Sequence, residues 1–143
     1  MIKTIRHTGI VVRNLKKSAN FYRALGFTDH NYAIEQGSFI NKVTGLNKVE
    51  LEWIKLKAPD GYLLELLEYK SHPEVLEITK QKSNELGCSH LAFGVNNIEQ
   101  TCELIKKLGG DIVNPPALTD DKKVKVAYCH DIEGVLMEIV EIL

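Results

Sequence analysis

The chain writes one passage twice. Arg6-His7-Thr8-Gly9-Ile10-Val11-Val12 returns as Ser89-His90-Leu91-Ala92-Phe93-Gly94-Val95, and each passage runs through an Asn into a helix-like stretch that stops at a Gly 19 residues beyond the His. Asp60-Gly61-Tyr62-Leu63-Leu64-Glu65-Leu66 is answered by Glu133-Gly134-Val135-Leu136-Met137-Glu138-Ile139, with a Glu four residues after the Gly in both. Self-similarity of this kind restricts the fold to two copies of one module. Each copy supplies one His and one Glu, and two imidazoles with two carboxylates make a suitable ligand set for one divalent ion.

Within each copy the hydrophobic periodicity spells β-α-β-β-β. Ile5 to Val12 alternates as a strand that puts His7, Gly9 and Val11 on one face. Asn14 is the expected N-cap of a helix with Leu15, Ala19, Tyr22 and Leu25 on one stripe, stopped by Gly26. In the second copy Asn97 and Gln100 form an expected capping box, Ile98, Cys102, Ile105 and Leu108 the stripe, and Gly109 the stop. Three strands follow each helix: Phe27 to Ile34, Val49 to Leu56 and Tyr62 to Tyr69, then Asp111 to Asn114, Val124 to Cys129 and Val135 to Ile142. The reading is an α+β chain with modules at 1–69 and 88–143, joined by a polar linker at 70–87 with a helix opened by His72-Pro73, the whole making one domain.

Glu65 lies 58 residues after His7 but Glu138 only 48 after His90. The surplus falls in Glu35 to Lys48, where Phe39, Ile40, Val43 and Leu46 suggest a short helical lid, jointed at Gly37 and Gly45, with Phe39 and Ile40 facing inward.

Composition narrows the function. At 143 residues the chain can bury a real core, and a formal net charge of −1 gives no field for nucleic acid or an anionic membrane. There is no apolar run near the roughly 18 residues that span a bilayer and no secretion-type leader, so the expectation is a cytoplasmic protein acting on a small molecule. Cys88, Cys102 and Cys129 cannot all pair and read as reduced, mostly buried thiols.

A lone His at a strand head is ordinarily structural, but two copies that diverged elsewhere have kept His and Glu in register. Strand parity selects Glu65 and sends Glu68 to the opposite face. Glu68 and Glu141, also in register, read as solvated edge charges. Trp53 reads as a core aromatic or a wall of the substrate cup, Tyr69 as a residue on the face of Glu65, and His30, His72 and His130 as surface residues.

These motifs resemble the vicinal oxygen chelate superfamily of glyoxalases, bleomycin-resistance proteins and dioxygenases, and the resemblance covers essentially the whole chain. His90-Leu-Ala-Phe-Gly-Val-Asn-Asn-Ile, Leu108-Gly-Gly and Gly134-Val-Leu-Met-Glu-Ile look most like bacterial glyoxalase I, while Gly87-Cys88-Ser89-His90 resembles methylmalonyl-CoA epimerase. The resemblance implies a curled mixed sheet around a metal cup, with His7, Glu65, His90 and Glu138 as ligands of Ni, Co, Zn, Mn or Fe, and assembly as a homodimer. It also implies lactoylglutathione lyase-like or epimerase-like proton transfer next to a carbonyl through a metal-bound enediolate, with Glu138 as base and Glu65 as its counterpart. The alternatives that the resemblance leaves are a non-catalytic resistance protein that binds metal or a small molecule, and a dioxygenase. Leu118 to Lys123 differs from the Gly- and Lys-rich glutathione loop of glyoxalase I, which leaves the choice between glutathione and CoA open.

Overall fold

The computed structural model describes residues 1–143 and divides into two compact units, Met1–Leu76 and Glu77–Leu143. The first contains β1 (Thr8–Val11), α1 (Leu15–Ala24), β2 (Thr28–Gln36), α2 (Ser38–Thr44), β3 (Glu50–Lys57) and β4 (Leu63–Tyr69). The second contains β5 (Leu91–Gly94), α3 (Ile98–Lys107), β6 (Asp111–Ile112), β7 (Ala117–Leu118), β8 (Val124–His130) and β9 (Leu136–Ile142). Sheet order is β1-β4-β3-β2 in one and β5-β9-β8-β6 in the other, with β7 added against β8. The repeated sequence therefore folds twice into the same open mixed sheet, whose single parallel pair is β1 with β4, or β5 with β9.

The two helices of the repeat, α1 and α3, are bounded by the same chemistry. Asn14 Oδ1 accepts from the Lys17 N–H at 2.9 Å, and Asn97 Oδ1 from the Gln100 N–H at 2.8 Å. At the other end Gly26 and Gly109 adopt φ of 105° and 94°, and the following N–H of Phe27 or Gly110 reaches back to Tyr22 or Ile105, closing the last turn.

Period-two alternation splits each sheet into two faces. In the first unit, Leu64 and Leu66 of β4, with Ile54 and Leu56 in register on β3 and Ile10 on β1, present a buried face to Leu15, Ala19, Phe21 and Tyr22 of α1. Ala127, Cys129, Met137 and Ile139 do the same for Ile98, Cys102 and Ile105 of α3. The opposite faces carry Glu65 and Glu138.

Four sequence expectations are corrected. Residues 70–87 form no helix: Lys70 to Leu76 belong to the first unit, while Gln81 docks in the second through its N–H to the Gly134 carbonyl and its own carbonyl to His130. His130 is accordingly buried, not superficial. In α2 only Ile40 turns inward, onto Val49, Leu51, Trp53, Leu67 and Tyr69, whereas Phe39 is 70% exposed. Glu68 and Glu141 are helix anchors, not solvated edge charges: Glu68 Oε2 accepts the Leu15 N–H at 2.7 Å, and Glu141 Oε2 the Ile98 N–H at 2.9 Å. A carboxylate at the positive end of a helix is favourable, and the strand thereby orients the helix packed on it.

Candidate metal centre

His7 stands just ahead of β1, and the parallel register sets Gly9 opposite Glu65. The His7 Nε2 lies 3.0 Å from Glu65 Oε2. A Cβ on Gly9 would press on the Leu67 side chain at 3.2 Å and stand in ordinary contact with that oxygen at 3.8 Å, so it is the packing against Leu67 that favours glycine here. In the second unit Ala92 pairs with Glu138, and the His90 Nε2 lies 3.2 Å from Glu138 Oε2. The His90 Nδ1 is in hydrogen-bond contact with Ser89 Oγ at 3.1 Å, and that hydroxyl donates to the Ser83 carbonyl, a support that orients the ring.

The structure thus brings the four sequence-identified residues together as two pairs, one in each unit. No group of three or more His, Cys, Asp or Glu is placed to hold an ion. The 3.0 and 3.2 Å separations are those of direct His–Glu hydrogen bonds, and they are also close to the roughly 3.0 Å between adjacent ligands set at right angles about 2.1 Å from one ion. Imidazole nitrogen and carboxylate oxygen are also the donor types that Ni, Co, Zn, Mn and Fe accept.

Sequence reasoning missed Lys55. It lies on β3 in register with Glu65, its Nζ 3.1 Å from Glu65 Oε1 and 4.5 Å above the Trp53 ring. Trp53 is itself held by an Nε1–H bond to Glu35 Oε1 at 3.1 Å. The second unit has Tyr128 in the same register, its ring edge-on to His90 at 5.2 Å. The signal was available, since Lys55 and Tyr128 each lie ten residues before the site Glu, but a search for shared residues passes over a position where the copies differ. Tyr69 is committed to the Ile40 cluster. A separate cleft of about 290 Å³, lined in part by Arg13, Glu68, Lys70 and His72, lies at the C-terminal ends of β1 and β4 and includes neither His7 nor Glu65.

The chain belongs to the Glyoxalase/Bleomycin resistance protein/Dioxygenase superfamily, whose family model matches residues 4–139 and so spans all four site residues. A protein of Vibrio cholerae described as a probable lactoylglutathione lyase is 30% identical over 89 residues, a match covering 56% of this chain and 63%, under two thirds, of that protein. A Synechocystis protein with the same description is 26% identical over 143 residues, covering 94% and 92%. Among solved structures, a glyoxalase family protein from Bacillus cereus superposes with a TM-score of 0.91 at 24% identity, covering 100% of this chain and 96% of that one. A fosfomycin resistance protein from Listeria monocytogenes, complexed with Mn(II) and sulfate, gives 0.62 at 17%, covering 99% and 93%. At these identities the structures establish the fold. No helix is long and apolar enough to cross a membrane.

Proposed function

We propose that the chain is a metal-dependent lyase or isomerase that moves a proton at a carbon next to a carbonyl, in the manner of lactoylglutathione lyase. His7, Glu65, His90 and Glu138 supply the ligands for the divalent ion. The observation that carries this reading is the same His–Glu pair built twice, on the same strands, in the same register and at ligand spacing. The two relatives described as probable lactoylglutathione lyases support the choice of reaction.

When bound, the ion supplies Lewis-acid stabilisation of the charge that develops on a carbonyl oxygen as the neighbouring proton departs. The chain supplies the proton acceptor. Glu138 is the base, because Glu65 has both oxygens engaged, one by His7 and one by Lys55. Ser89, through His90, holds the imidazole beside Glu138 in one orientation.

Purified protein should contain about one divalent ion per four-residue set by elemental analysis, and His90→Ala should lose it while keeping its far-ultraviolet circular dichroism. Turnover should then be assayed with methylglyoxal plus glutathione and, for the epimerase alternative, with methylmalonyl-CoA. Glu138→Gln should retain much of its metal and lose on the order of a hundredfold or more in kcat, the usual worth of a positioned base. Equal metal content in His90→Ala and wild type would reject the site. Normal turnover in metal-loaded Glu138→Gln would move the base to Glu65.

A further inference from the structure

The two half-sites differ in one respect that their shared ligands conceal. Glu138 faces a tyrosine across the sheet, whereas Glu65 faces a cation. The Lys55 ammonium is confined between the Glu65 carboxylate and the Trp53 ring, with side-chain exposures of 20% for Lys55 and 12% for Glu65. This is a built position: an aromatic face and a half-buried carboxylate on two neighbouring strands both attract a cation.

From this geometry we infer that Lys55 is an internal counter-cation that competes with the divalent ion for Glu65 and thereby sets how tightly the site holds metal. The inference rests on the proposed metal reading and adds to it a residue that tunes affinity. Glu65 offers Oε2 toward His7 while Oε1 is held by the ammonium. An ion bound by the His7–Glu65 pair must either displace Lys55 or share the carboxylate with a like charge a few ångströms away. At the effective dielectric of a protein surface that repulsion is worth at least a factor of ten in affinity. The second unit, with Tyr128 in place of the lysine, has no such competitor in that register. The first pair is therefore the weaker half of the site, and Lys55 neutralises Glu65 when no metal is present.

The test is Mn(II) titration of chelator-treated protein, with the electron paramagnetic resonance signal of free ion as the readout, so that no turnover is needed. Lys55→Met keeps the aliphatic stem over Trp53 without the charge and should tighten Mn(II) binding by about tenfold or more. Lys55→Gln provides a second neutral variant should the first fold poorly, and Lys55→Arg should stay within about threefold of wild type. In a Glu65→Gln background, Lys55→Met should tighten binding clearly less than in wild type, because the ammonium is no longer anchored beside the site by the carboxylate. Unchanged or weaker binding in both neutral variants would overturn the role of Lys55 while leaving the metal site standing, as would equal tightening in the Glu65→Gln background. If wild type and all Lys55 variants are folded yet leave the Mn(II) signal free, the metal reading itself falls and the inference with it.

Discussion

Removing the carboxylate of Glu141 tests whether a strand residue anchors the helix beside it. Ile98 is the first residue of α3 and fully buried, and its N–H is one of the four that a helix leaves without an internal partner. Glu141 Oε2 takes it at 2.9 Å in a part-buried setting, while Asn97 serves the Gln100 N–H. A hydrogen bond to a charged group contributes about 1.5–3 kcal/mol, and a carboxylate at a helix N-terminus about 0.3–1 kcal/mol. Both terms are lost together in Glu141→Ala, and partial rehydration of the freed N–H offsets some of the loss, leaving a destabilisation of about 2 kcal/mol. For a chain of this size that is a fall in Tm of roughly 4–8 °C. Glu141→Gln, which keeps a neutral acceptor, should lose about half as much. Urea denaturation followed by circular dichroism, with thermal melts alongside, measures both variants, and Glu68→Ala makes the matching experiment at Leu15 of α1. A Glu141→Ala protein that melts within a degree of wild type would refute the anchoring role.

Three further outcomes are expected. A thiol reagent should modify exposed Cys88 quickly but reach Cys102 and Cys129 only in denaturant, because burial pushes the Cys129 thiol up to about 12; three fast equivalents would contradict this. Hydrogen bonds from Lys70 and then Tyr32 hold the Glu52 carboxyl below its ordinary value, so its contribution to stability is present above the unfolded value of about 4.3 and is lost as pH falls through the lower folded value. Glu52→Gln should flatten that acid limb in denaturation midpoints measured from pH 5 to 2, and superimposable profiles would rule it out. Gly134→Ala should cost clearly more than Gly61→Ala: both positions have positive φ, worth about 1–2 kcal/mol of strain, but a Cβ at Gly134 would also stand 2.3 Å from the Thr79 carbonyl, while Gly61 meets only Lys57 Cε at 3.8 Å. Equal costs in urea denaturation would show that the Thr79 segment yields freely.

The repeat made the paired sheets legible because helix stops, turn glycines and the His and Glu registers each report a local backbone requirement that survives divergence. Features without such a local signature were less visible. The expected helix after His72 failed because Gln81 spends its backbone on Gly134 and His130, contacts far away in sequence. His130 looked superficial for the same reason, since the segment that buries it lies 49 residues earlier. Glu68 and Glu141 were correctly assigned to the face away from Glu65 and Glu138, yet that face is where a helix begins, which parity alone does not reveal. The lid reading puts both Phe39 and Ile40 inward, but adjacent residues on a helix point about 100° apart, and only Ile40 meets the sheet.

The spacing of three between Glu65 and Glu68, and between Glu138 and Glu141, also governs errors in folding. An odd interval puts one carboxylate on each side of the strand, so a slip of β4 against β1 by one residue would turn Glu65 into the apolar interior and swing Glu68 away from the helix it anchors. A misregistered sheet would thus suffer twice, from a stranded charge and from a helix left loose. Each copy of the module thus carries its own check on strand register.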